Sequence, residues 1–211
     1  MILDTPRLTL RPLVTDDFEP LHACFGDAEA MRYWDFLPSS DVTQTKERLG
    51  QVLTVDPKWM ASWTVVLKET GAIAGWLCYH HREPWHRRLE IGYILAPLYW
   101  RRGLMSEAVR TLVAYCFRDL DTHRVEATIQ PENLASIRLA ERLGFRWEGV
   151  LRDRWFVDGS YRTVAMYALF ANEFRESRGA RSVRLGRATT ASAESGDAED
   201  GQAMMRLRRD S

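Results

Sequence analysis

The stretch Tyr99-Trp100-Arg101-Arg102-Gly103-Leu104-Met105-Ser106 has the composition of an anion site. A β-rich run, Leu89 to Leu95, stops at Pro97, and apolar residues then recur at helical spacing: Met105, Ala108, Val109, Leu112, Val113 and Cys116. A helix therefore opens at about Leu104. The first amides of a helix lack intrahelical acceptors and point outward with the positive end of the dipole, so they attract phosphate oxygens. Gly103 lets the backbone approach an anion closely, Ser106 adds a hydroxyl donor, and Arg101 and Arg102 raise the local positive potential. Read alone, the same residues equally make a strand-to-helix loop with one glycine. His80, His81 and His86 raise the question of a metal. Neighbours on a strand point to opposite faces, so His80 and His81 are expected not to share an ion, and no metal is expected.

The elements around this loop follow from apolar periodicity. Leu8 to Leu13 alternates as a half-buried strand does, and Thr15-Asp16-Asp17 is expected to cap a helix with Phe18, Leu21, His22 and Phe25 on one side. A second helix covers Val42 to Leu53. Strands Ser62 to Lys68 and Ile73 to His80 follow, joined at Glu69-Thr70-Gly71, and then comes the Leu89 to Leu95 strand. Beyond the central helix, Arg124 to Ile129 is a strand and Asn133 to Leu143 a helix stopped by Gly144. Trp147 to Phe156 and Tyr161 to Phe170 form a hairpin about Asp158-Gly159. The order β-α-α-β-β-β-α-β-α-β-β means an α/β (α+β) fold, a mixed sheet with helices on both faces, whose strand–helix–strand centre joins parallel strands.

Four segments in this order resemble the GCN5-related N-acetyltransferase (GNAT) superfamily, specifically its RimJ/RimL-like branch of ribosomal-protein N-terminal acetyltransferases. They are Glu90-Ile-Gly-Tyr93, Trp100-Arg-Arg-Gly-Leu-Met105, Asn133-x-x-Ser136 and Leu143-Gly-Phe145. The resemblance spans about residues 5–172, from Thr5-Pro-Arg-Leu-Thr-Leu-Arg-Pro12 onward. It implies a GNAT fold with a central twisted sheet of about seven strands, and acetyl-CoA as co-substrate. The amides of Arg101, Arg102, Gly103, Leu104, Met105 and Ser106 would hold the pyrophosphate. Ile94, Leu95 and Ala96 would pair with the pantetheine arm, and Asn133 would hydrogen-bond it. Glu90 would take the amine proton through water, the alternative being a strand-edge carboxylate paired with Arg88. Ser136 would serve near the sulfur, the alternative being an ordinary first-turn helix residue. Tyr33, Trp34, Trp85 and Trp155, with Phe36 and Tyr79, would wall the acceptor. The chain departs from the family at Ala140, where many members carry a tyrosine acid. It departs again at Thr163 and Trp155, where relatives place carboxylates.

Acetyl transfer from a thioester to an amine needs a neutral amine, a stabilised oxyanion and a protonated sulfur. The expected activity is therefore direct N-acetylation of a primary amine, most naturally a protein N-terminal α-amine. A small amine such as an aminoglycoside, polyamine or amino acid is the alternative acceptor, and a non-catalytic acyl-CoA-binding module is the alternative class. Lys+Arg and Asp+Glu number 29 each, and a neutral chain lacks the sustained basic surface of general nucleic-acid binders. No apolar run approaches the roughly 18 residues of a membrane span. The N-terminus lacks a signal-peptide layout. Cys24, Cys78 and Cys116 sit among apolar residues and read as reduced, buried thiols of a cytoplasmic protein. The domain is expected over 1–174, as a monomer or homodimer. After Phe174 the aromatics stop, and 175–211 is arginine-rich, then acidic, and reads as a disordered tail. A weak RNA or ribosome contact through its arginines competes with a purely solubilising role.

Overall fold

Strand and helix follow the change in apolar period along the chain. The structure, a computed structural model, describes residues 1–174; the expected tail, and the RNA or ribosome contact considered for it, lie outside them. The elements are β1 (Leu3–Asp4), β2 (Leu8–Pro12), α1 (Phe18–Phe25), α2 (Val42–Leu53), β3 (Ala61–Leu67) and β4 (Ile73–Glu83). Then come β5 (Arg88–Leu95), α3 (Leu104–Arg118), β6 (Arg124–Ile129), α4 (Leu134–Leu143), β7 (Arg146–Val157) and β8 (Ser160–Phe170). They form one eight-stranded sheet in the order β1-β2-β3-β4-β5-β6-β8-β7. The strand beyond the expected seven is β1, whose two residues are too few to display a period.

Two apolar cores flank the sheet. One joins α3 and α4 to the sheet through Leu89, Ile91, Val109, Leu112, Val125, Leu139 and Leu143. The other lies under α1 and α2, with Phe18, Leu21, Phe25, Leu49, Trp76 and Ile94. His22, expected on the apolar face of α1, contacts Thr45 Oγ1 at 2.8 Å and ties α1 to α2. Asp41 caps α2, its carboxylate accepting from the Gln44 amide at 2.8 Å. Thr15–Asp17 form a 3₁₀ turn leading into α1, and Asp17 makes no side-chain cap bond for that helix. Its buried carboxylate instead takes Arg11 from β2, Thr64 Oγ1 from β3 at 2.7 Å and the Val14 amide at 3.1 Å.

The feature that creates a site is the one parallel pairing. β5 and β6 are joined through α3, and a crossover of that kind makes strands parallel. Their ladder holds only at Arg88–Arg124, Leu89–Val125 and Glu90–Glu126. Arg88 and Arg124 clasp this end through Glu126, at 3.0 and 2.6 Å. Past Glu90, β5 stays with β4 as far as Leu95, while β6 stays with β8 as far as Ile129. The two strands therefore part, and a cleft opens between them.

Candidate active site

The cleft is a cavity of about 590 Å³ bordered by Ile94 and Leu95 of β5, Arg101 and Gly103–Ser106 of the loop and α3, Ser136 of α4 and the residue that caps it, Asn133. The loop reaches α3 through left-handed residues Arg101 (φ 61°) and Gly103 (φ 73°). Glu107 is the first residue of α3 whose amide closes a helical turn, onto the Gly103 carbonyl at 3.2 Å. The amides of Leu104, Met105 and Ser106 precede it at the positive end of the helix, where an anion is their natural acceptor. Arg7, just before β2, braces the loop: its guanidinium donates to the Arg102 carbonyl at 2.9 Å and to Glu107 at 2.7 Å. A phosphate group would find donors at the α3 amides, and an extended chain could pair with the unzipped edge of β5.

A second cavity of about 110 Å³ meets the first at Tyr33, Trp34, Tyr93, Asn133 and Ser136, and reaches His80, Glu90, Thr128, Gln130 and Trp155. Glu90 stands at the last zipped level of β5. Its carboxylate is well buried. Thr128 Oγ1 donates to one oxygen, and His81 Nδ1 lies 3.4 Å from the other. Burial alone would push its pKa up. The His81 hydrogen bond, the charge of His80 and the Thr128 hydroxyl outweigh that and bring it down to about 2. Glu90 is thus an anion at any physiological pH. Arg88, its sequence-level alternative partner, pairs with Glu83 and Glu126 instead.

The expectation that His80 and His81 face opposite ways is overturned. His81 has a left-handed backbone (φ 49°), and the β4–β5 register breaks between His80 and Glu83. The bulge breaks the alternation and brings the two Nδ1 atoms to 2.8 Å. The ligand atoms of His80, His81 and Glu90 all lie within 4.8 Å of one another. Nitrogens on a tetrahedral zinc sit about 3.3 Å apart, whereas 2.8 Å is a hydrogen bond between one donor and one acceptor nitrogen.

The other sequence-selected residues divide. Ile94, Leu95, Arg101, Gly103, Leu104, Met105, Ser106, Asn133, Ser136, Tyr33 and Trp34 border the cleft, and Trp155 the smaller cavity. Ala96 turns away, its amide bonded to the Ala74 carbonyl at 2.9 Å. Arg102 contributes its carbonyl to Arg7 and stacks its guanidinium 5.8 Å from the Tyr99 ring, outside the cleft lining. Trp85 is not brought to the site: it is 65% exposed and packs edge-on to Trp59 at 5.4 Å. Tyr79 is core, its hydroxyl donating to the Pro57 carbonyl at 2.6 Å, and Phe36 packs on Trp34. The Asn133 Oδ1 caps α4 by accepting from the Ser136 amide at 3.1 Å. The cysteines are buried; burial, its largest influence, pushes the Cys24 thiol up to about 12, so it offers no thiolate.

Sequence reasoning missed Tyr93, Thr128 and Gln130. The Tyr93 hydroxyl is buried at the junction of the cavities without a completed hydrogen bond; burial pushes it up to about 12, and nearby Ser136 pulls weakly the other way. Gln130 is buried, and its Nε2 has no partner among the described residues. Tyr93 and Thr128 are ordinary letters in strands and Gln130 directly follows one, and only the parting of β5 and β6 gives them a cavity to face.

A splayed parallel pair, a pyrophosphate-ready helix start and a carboxylate at the fork define a class of protein. The chain belongs to the GNAT acetyltransferase family, the acetyltransferase (GNAT) domain matching residues 7–146. It is 34% identical over 173 residues to an N-acetyltransferase named p20 from Bacillus licheniformis, covering 82% of this chain and 97% of that one. "Putative ribosomal N-acetyltransferase YdaF" of Bacillus subtilis (strain 168) is 28% identical over 63% of this chain and 84% of its own. Spermidine N(1)-acetyltransferase of Escherichia coli (strain K12) is 26% identical over 78% and 87%. A solved GCN5-related N-acetyltransferase from Brucella melitensis superposes with a TM-score of 0.75 at 27% identity, over 82% of this chain and 80% of that one. Among the described residues no helix is long and apolar enough to cross a membrane.

Proposed function

We propose that this chain moves the acetyl group of acetyl-CoA directly onto a protein N-terminal α-amine, with both substrates bound at once. The observation that carries the reading is the fork itself: a cleft suited to a CoA arm runs into a small cavity holding one buried carboxylate, Glu90. Neither cavity is lined by a cysteine that could carry the acetyl group, so in this reading the amine attacks the thioester itself. Glu90, ionised by its surroundings, draws the ammonium group in. A carboxylate with a pKa near 2 holds an ammonium well but is a feeble proton acceptor at neutral pH. Ser136 and the Tyr93 hydroxyl, at the junction of the two cavities, would give the departing sulfur its proton.

Gln130 favours an α-amine over a polyamine. A buried, unpaired amide N–H is costly and calls for an acceptor. The first carbonyl of a peptide supplies one close to its α-amine, whereas a protonated polyamine offers donors alone. Tyr33, Trp34 and Trp155 add flat apolar walls that suit a peptide backbone. A small-molecule amine is the competing acceptor, and the spermidine-acetylating relative gives it a specific basis.

A panel of peptides with free N-termini, set against spermidine, aminoglycosides and amino acids and read by thiol release, separates the two. Turnover of peptides is expected; turnover of a small amine with every peptide inert contradicts the reading. In the same assay Gln130→Leu should raise KM for the peptide about tenfold, the worth of one hydrogen bond, with little change in acetyl-CoA affinity.

A further inference from the structure

Coenzyme A carries an extended arm and a pyrophosphate on one molecule, and the cleft offers them two separate pieces of backbone. One is the unzipped edge of β5, which ends at Leu95; the other is the start of α3 at Leu104. Residues 96–103 lie between, with a 3₁₀ turn at Pro97–Tyr99 and left-handed backbone at Arg101 and Gly103. Two ties hold this connection. The Arg7 guanidinium holds the α3 end. Trp100 holds the β5 end, its indole N–H donating to the Leu95 carbonyl at 2.7 Å. The Ala96 amide bonds to the Ala74 carbonyl at 2.9 Å, and residues of an antiparallel pair turn their backbone groups to alternate sides. The N–H and C=O of Leu95 therefore face the cleft. Because β6 pairs with β5 only as far as Glu90, no strand reaches the Leu95 carbonyl, and Leu95 is buried. A buried acceptor without a donor is costly, and Trp100 supplies the donor. Its ring borders the cleft and packs on the core that α3 shares with the sheet. From the other side β4 presses on the same place. A Cβ at Gly75 would collide with the Ile94 carbonyl oxygen and come within 3.0 Å of Leu95 Cα.

We infer that Trp100 is a positioning residue for acetyl-CoA: through the Leu95 carbonyl, its N–H sets the spacing between the arm-binding edge and the phosphate-binding amides. This rests on the acetyl-transfer reading above. A ligand held at two points gains from the second only when the spacing of the sites matches its own, because the joined parts then bind at high effective concentration. A site already in that geometry also has nothing left to order on binding. Trp100 further closes the run of cleft-facing acceptors, so the arm can pair with β5 only up to the Leu95 N–H. Removing the tie leaves the α3 amides and the β5 edge in being and disturbs their relation. The loss should therefore fall on the complete carrier and spare a ligand that reaches the phosphate half alone.

The test is calorimetry of the full chain with CoA and with ADP, for wild type, Trp100→Phe and Trp100→Gln, with kcat measured at saturating acetyl-CoA. Trp100→Phe keeps a flat ring and loses the N–H; Trp100→Gln loses the ring and keeps an N–H donor. Trp100→Phe should weaken CoA binding about tenfold, the worth of one hydrogen bond, with ADP affinity and kcat close to wild type. Trp100→Gln should weaken CoA binding less than Trp100→Phe does. A role confined to packing predicts the opposite order. Wild-type CoA affinity in Trp100→Phe, Trp100→Gln the weaker of the two, or ADP weakened as much as CoA overturns the assignment. So does failure of both variants to fold, which would make Trp100 a core residue first, and so does a wild-type chain that binds CoA but not ADP. A wild-type chain that binds acetyl-CoA yet acetylates no amine overturns the parent reading instead, and the calorimetric comparison still decides this one.

Discussion

Glu90 shows how a single side chain acquires a role from its surroundings. Buried alone, a carboxylate favours its neutral form; with Thr128 and the two histidines around it, the anion wins and its pKa falls to about 2. Glu90→Gln should cut kcat/KM for the amine about 10²-fold and leave acetyl-CoA affinity nearly unchanged, as calorimetry and initial rates would show. Because the folded pKa is depressed, the stability Glu90 contributes is present above the ordinary carboxylate range and lost as pH falls toward about 2. Its titration therefore adds no inflection to a rate profile near neutrality. That Glu90 and Ser136 border one cavity was legible in the sequence because the segments around them resemble the family's; their catalytic roles are part of the proposal. The His80–His81 contact could not, because strand alternation forbids it and only the left-handed turn at His81 permits it. Trp85 failed for the opposite reason: a tryptophan's size argues for a wall or a core, yet a short turn leaves this one on the surface.

The elements that frame the site depend on a few backbone and ion-pair details. Gly103 begins α3 at φ 73°, and a Cβ there would meet nothing closer than the Arg7 guanidinium at 3.6 Å. Space is available, so the cost of a side chain is conformational. Gly103→Ala should lower stability by about 1 kcal/mol. It should also weaken CoA binding several-fold, because the amides that follow it shift; an unchanged affinity would mean these amides do not hold the phosphates. Asp17 plays the corresponding role on the other side of the sheet. Burial would raise its pKa, but Arg11, Thr64 and the Val14 amide together lower it. Asp17→Asn should cost about 3 kcal/mol, as expected when a buried partner leaves a charge unpaired. The pair's contribution is present above about pH 4 and fades below it, so urea midpoints of wild type and variant should converge in acid. Helices and strands near this residue were legible from periodicity, whereas Asp17 itself was not. A carboxylate before a helix looks like a cap, and its diversion to Arg11 depends on β2 and β3 lying alongside.

At the scale of the whole molecule, the order of elements was readable nearly residue for residue: α2 covers Val42–Leu53 and β6 covers Arg124–Ile129, the ranges the periodicity implies. The fork between β5 and β6 was not readable from period alone, since both strands carry ordinary strand patterns to their ends. It arises from pairing partners, with β4 holding β5 and β8 holding β6, and the family resemblance pointed to it. Family membership makes this chain an acetyltransferase, and the smaller of the two cavities meeting at that fork is the acceptor site we propose. The most direct test is mass spectrometry of one peptide offered in two forms, with its N-terminus free and with it blocked, after incubation with acetyl-CoA and the full chain. The free form should become heavier by one acetyl group at its α-nitrogen, with one thiol released for each, and the blocked form should stay unchanged. Acetylation of both forms alike, or of neither while acetyl-CoA binds, would contradict it.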